Sequence, residues 1–124
     1  MRLDHVVIAV GDFERSNAFY RDVLGAEIVE IDGRVAYRIG SQQLNVHGPG
    51  TRPAMVARIP VAPGNSDLCF EWKGAIEAAV EHLRARGVDV EAGPMTRGGA
   101  KGRGTSVYFR DPDGTLLELI SYAD

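Results

Sequence analysis

Glu118 stands in the middle of an otherwise apolar run, Thr115 to Tyr122. An unpaired ionised carboxylate is costly to withdraw from water, so a cation must meet it or it must face an open cavity. Three other residues, His5, His47 and Asp67, are of types that could share its chemistry. Imidazoles and carboxylates bind divalent ions such as Zn, Ni, Mn, Co or Fe. Taken singly, each has a plainer reading. A lone histidine at a strand start is usually hydrogen-bonded structure, and Asp67, following Asn65-Ser66, is a natural turn former. On one common surface, His5, His47, Asp67 and Glu118 would form a metal site, and the ion would satisfy Glu118.

Whether they share a surface depends on the strands that carry them. Leu3 to Val10 reads as a strand by its β-branched content. Asp12 is placed to cap a helix over Phe13 to Leu24, and Gly25 suits its end. Glu27 to Ile31, Arg34 to Ile39 and Gln42 to His47 are extended runs separated by Asp32-Gly33 and Gly40-Ser41. The Gly- and Pro-rich stretch Gly48 to Gly64 reads as a connector with an extended segment at Met55 to Val61. The pattern then restarts: a strand at Asp67 to Trp72, a helix over Gly74 to Arg86 ended by Gly87, a strand at Val88 to Glu91, a Gly-rich loop from Gly93 to Gly104, and a hairpin over Thr105 to Tyr122 turning at Asp111-Pro112-Asp113-Gly114. His82 falls on the polar side of the second helix and reads as surface.

Each half is therefore β-α-β-β-β, and a repeat fixes the architecture. The expectation is an α+β domain over residues 1–124, with modules at 1–50 and 65–124, forming an open curved sheet around a cleft. Side chains alternate along a strand. With Val6, Ile8, Leu44, Val46, Leu68, Phe70, Leu117 and Leu119 packed on the helices, the cleft receives His5, Asn45 and His47, Asp67 and Cys69, and Glu118. His47 is preferred to Asn45 as the ligand from its strand. Cys69 reads as cleft wall, since no partner base is evident.

Composition excludes several classes. The 124 residues carry a net charge of -3, which argues against broad nucleic-acid binding. No apolar run reaches membrane-spanning length, and Met1-Arg2-Leu3-Asp4-His5 lacks the apolar core of a signal peptide. The single cysteine permits no intrachain disulfide and fits a reducing compartment, so the cytoplasm is expected.

The repeat, the opening Leu3-Asp4-His5-Val6-Val7, the helix end Phe19-Tyr20-Arg21-Asp22-Val23-Leu24-Gly25 and the hairpin Phe109-Arg110-Asp111-Pro112-Asp113-Gly114 leading to Glu118 resemble the vicinal oxygen chelate superfamily. That superfamily holds glyoxalase I, the bleomycin- and fosfomycin-resistance proteins and the extradiol dioxygenases. Gln43-Leu44-Asn45-Val46-His47, Pro63 to Cys69, and Gly93-Pro94 with Thr96-Arg97-Gly98 and Ala100-Lys101-Gly102 are similar to small glyoxalase-domain proteins labelled virulence-associated or lactoylglutathione-lyase-like. The resemblance implies a divalent metal held by first- and last-strand residues of each module. His5 and Glu118 match those positions, while Asp67 stands where glyoxalases usually carry histidine.

The implied activity is a metal-dependent lyase or isomerase acting on a small substrate with vicinal oxygens, such as a glutathione–methylglyoxal adduct. Glu118 or Asp67 would be the general base. Arg97, Lys101 and Arg103 would either clamp an anionic substrate or belong to a solvated loop. The alternatives are an extradiol-type dioxygenase and a non-catalytic resistance protein that binds an antibiotic or metabolite. A homodimer is expected, because modules often pair across subunits in this superfamily and exposed strand edges invite pairing.

Overall fold

The computed structural model describes residues 1–123, and they form two compact units. The first comprises Met1–Ser66 together with Pro112–Gly114. Its elements are β1 (His5–Ala9), α1 (Phe13–Leu24), β2 (Glu27–Ile31), β3 (Arg34–Ile39) and β4 (Gln42–His47). Asp12 caps α1 by accepting the Arg15 amide at 3.0 Å. Gly25 leaves the helix at φ 68°, a left-handed conformation that costs glycine little. The sheet runs β1-β4-β3-β2, with β1 parallel to β4 and the other pairs antiparallel. The helix covers one face, burying Ser16, Tyr20 and Val23. The Tyr20 and Tyr37 rings stack 4.8 Å apart, and the buried Tyr37 hydroxyl bonds Ser16 Oγ at 2.8 Å and Asn17 Oδ1 at 2.6 Å.

The second unit, Asp67–Asp111 with the chain from Thr115 onward, repeats the plan. Its elements are β5 (Asp67–Glu71), α2 (Ile76–Ala85), β6 (Ala92–Gly99), β7 (Gly102–Arg110) and β8 (Leu116–Ser121), in sheet order β5-β8-β7-β6 with β5 parallel to β8. The helix buries Ile76, Ala79, Val80 and Leu83, as their spacing predicts. At the closing turn Asp111 Oδ1 accepts the Thr115 amide at 2.9 Å, and in the first unit Asp113 Oδ1 accepts the Gly11 amide at 3.1 Å.

Three expectations are corrected. Val88 to Glu91 is not a strand. The strand begins at Ala92 and runs through the supposed loop, so Gly93 to Gly104 is most of a β6–β7 hairpin. The glycines there make room rather than flexibility. A Cβ on Gly104 would lie 2.8 Å from Ile120 Cγ1, and one on Gly99 would meet the Tyr122 hydroxyl and Ile120 Cδ1. The Met55 to Val61 stretch holds no strand. It lies between Pro53 and Pro63, and Pro60 removes an amide donor. His82 is half-buried, its ring 5.1 Å from that of Trp72.

Candidate functional site

On the first sheet the alternation holds: Leu44 and Val46 are buried on the helix side, and His5, Gln43, Asn45 and His47 line a polar concavity of about 510 Å³ on the other. Position along the strands separates them. In the parallel ladder His5 pairs with Gln43, Val7 with Asn45, and Ala9 with His47. His5 and His47 are thus four residues apart along the sheet, roughly 13 Å at the strand rise. The amides of Gln43 and Asn45, not His47, are placed nearest His5. Gln43 Nε2 donates to Asn45 Oδ1 at 2.7 Å, so that oxygen is already engaged. His47 also borders an apolar cavity of about 670 Å³, walled by Val7, Ala9, Pro49, Met55, Val56 and Pro60 among others.

His5 Nδ1 lies 2.7 Å from Asp4 Oδ1. With the shared proton on Nδ1, Nε2 keeps its lone pair for an external ligand. A carboxylate behind an imidazole is the arrangement that orients metal-binding histidines.

On the second sheet, Cys69 is the direct ladder partner of Glu118, and Asp67 lies two residues before Cys69. Both carboxylates act on the same thiol. Cys69 is exposed at its surface, and partial desolvation first, then the Glu118 charge and hydrogen bond and the Asp67 charge, push its thiol up to about 12. Glu118 is half-buried, and its Oε2 accepts the Ser106 hydroxyl at 2.5 Å. Tyr108 is its partner on the opposite side, in the β7–β8 ladder. Among the described residues no ion pair reaches Glu118, and the Ser106 hydroxyl is its hydrogen-bond donor.

The three basic residues read as either a substrate clamp or part of a solvated loop have different partners. Arg97 Nε donates to the Tyr108 hydroxyl at 3.1 Å, and its guanidinium stands 5.8 Å above that ring. Lys101 is ion-paired to Glu71 at 2.9 Å, which raises its pKa above the ordinary lysine value. Arg97 pairs with Gly104 and Gly98 with Arg103, so Arg97 and Arg103 point to opposite faces of the hairpin. Ser106 and Tyr108 were not singled out from the sequence. Ser106 is fully buried and Tyr108 half-buried, and the ladder pairs Ser106–Ile120 and Tyr108–Glu118 put both on the sheet face that carries Glu118.

Among the described residues, no three His, Cys, Asp or Glu side chains come together as a metal ion requires. Taken separately, one donor on each unit has the chemistry of a divalent-ion ligand. His5 presents a free ring nitrogen with a carboxylate behind it, and Glu118 presents a carboxylate held by neutral groups.

The family model of the Glyoxalase/Bleomycin resistance protein/Dioxygenase superfamily matches residues 2–119. The chain is 42% identical over 123 residues to the glyoxalase domain-containing protein RDO1 of Mycosarcoma maydis, covering 98% of this chain and 69% of that protein. It is 33% identical over 135 residues to the lactoylglutathione lyase of Salmonella typhimurium, covering 100% of this chain and 95% of the lyase. The crystal structure of the virulence protein STM3117 from Salmonella typhimurium superposes with a TM-score of 0.93 at 36% identity, covering 99% of this chain and 98% of that one.

Proposed function

This chain belongs to the Glyoxalase/Bleomycin resistance protein/Dioxygenase superfamily, and we propose that it is a metal-dependent lyase or isomerase of glyoxalase type. Its substrate is a small molecule with two neighbouring oxygens. The observation that carries the reading is Glu118, a half-buried carboxylate with neutral hydrogen-bonding neighbours and no ion-pair partner among the described residues. A divalent cation supplies the missing charge.

Glu118 and Asp67 are the proposed ligands on the second unit, and His5 is the proposed ligand on the first. When bound, the ion supplies a Lewis acid toward the substrate oxygens. Asp67 and Glu118 are also the candidate bases for removing a proton from the adjacent carbon. Arg97 and Tyr108 offer hydrogen bonds to a polar or anionic portion of the substrate. His47, at the far end of β1 and β4 from His5, is assigned to the wall of the apolar cavity.

The 33% identity to a lactoylglutathione lyase makes the glutathione–methylglyoxal adduct the first substrate to test. The protein is loaded with Ni, Co, Zn or Mn and turnover is followed. Metal binding without turnover under any ion rejects the reaction. Metal analysis of alanine variants at His5, Asn45, His47, Asp67 and Glu118 tests the ligands, with loss expected at His5, Asp67 and Glu118 and retention at His47.

The apolar cavity beside His47 supports a second reading, sequestration of an apolar antibiotic or metabolite without chemistry. A protein purified free of metal, whose ligand binding survives E118Q, would establish it. A homodimer and a cytoplasmic location complete the proposal. Exposed Met55, Val56 and Ile59 on the connector favour association, to be measured by light scattering. The lone Cys69 suits a reducing compartment.

A further inference from the structure

We infer that Ser106 is a positioning residue for Glu118, fixing one carboxylate oxygen so that the other is presented to the metal ion. The inference rests on the metal reading of Glu118 above. Ser106 lies on β7, an interior strand bonded to β6 on one side and β8 on the other. Its cross-strand partner is Ile120, so its hydroxyl reaches Glu118 diagonally across the sheet. The side chain is fully buried and donates to Oε2 at 2.5 Å. A buried serine flanked by two strands has little freedom, and the carboxylate it holds is correspondingly fixed.

The chemistry of the donor matters as much as its position. A lysine or arginine there would neutralise Glu118 and compete with the ion. A hydroxyl orders the carboxylate and leaves its charge intact. Hydrogen bonds of this kind behind a metal-binding carboxylate set ligand geometry, and their loss weakens metal affinity. A serine present only for packing would be replaceable by alanine without consequence for the metal.

The test is calorimetric titration of the full chain with Mn, Ni or Zn alone, comparing wild type with Ser106→Ala, Ser106→Cys, Ser106→Thr and Glu118→Gln. The melting temperature of each metal-free protein is recorded alongside. Ser106→Ala and the similarly sized but poorly donating Ser106→Cys are expected to weaken binding by about 10- to 100-fold. Ser106→Thr, which keeps the hydroxyl, restores most of the affinity. Wild-type affinity in Ser106→Ala overturns the inference and leaves the Glu118 reading standing. Wild-type affinity in Glu118→Gln, or a wild-type chain that takes up none of the three ions, overturns both.

Discussion

Cys69 and Glu118 are direct partners in the parallel β5–β8 ladder, and the thiol is held protonated there. Partial desolvation of this exposed residue is the larger cause and the carboxylate the next. Alkylation of Cys69 by iodoacetamide should therefore be far slower at pH 8 than that of a free thiol, and Glu118→Gln should accelerate it. The folded pKa of about 12 lies above the ordinary value of 9.0. Over that interval the folded chain keeps a proton that the unfolded chain has lost. The stabilisation is complete below pH 9 and disappears as pH rises toward 12. Urea melts at pH 8 and pH 10.5 should show this loss in the wild type and less of it in Cys69→Ala.

The β6–β7 hairpin depends on side chains lying over its glycines. Gly104→Ala places a methyl 2.8 Å from both Ile120 Cγ1 and the Ser121 carbonyl. Overpacking of this kind costs about 1–3 kcal/mol. Gly98 has nothing within 4 Å of the corresponding position, so Gly98→Ala should leave the urea midpoint nearly unchanged.

Tyr37→Phe removes the hydroxyl shared with Ser16 and Asn17 beneath α1. Losing a buried hydrogen-bonding group costs about 1–2 kcal/mol. Chemical denaturation should show that loss with an unchanged m-value.

Arg97 and Tyr108 should matter to substrate binding and Arg103 should not. Arg97 and Tyr108 are joined on the face that carries Glu118, whereas Arg103 lies on the other face of the hairpin. With the glutathione–methylglyoxal adduct, Arg97→Ala and Tyr108→Phe are each expected to raise KM by about tenfold, the scale of a hydrogen bond to a charged group. Arg103→Ala should leave KM within twofold, an effect below about 0.5 kcal/mol. Lys101→Ala should act mainly through the exposed pair with Glu71 and change little.

Local signals carried most of the fold. Asp12 and Gly25 mark the ends of α1 because a capping carboxylate and a left-handed glycine satisfy needs that arise within one helical turn. The β6–β7 hairpin escaped because Gly99 and Gly104 answer to Ile120 and Tyr122, more than fifteen residues downstream. The site divides in the same way. Alternation reveals which face a residue occupies, and Leu44 and Val46 are buried on the helix side accordingly. It does not reveal how far one strand is displaced along its neighbour. In the β1–β4 ladder that offset puts Asn45 nearer than His47 to His5.

The separation of His5 from His47 also turns the first sheet into a molecular ruler. A paramagnetic ion such as Mn broadens the resonances of a nearby imidazole far more than those of one farther away. The two rings, read separately in a single spectrum, would therefore locate the ion along the sheet without any mutation. Selective broadening of His5 would place it at the start of β1, and selective broadening of His47 would move it to the apolar end.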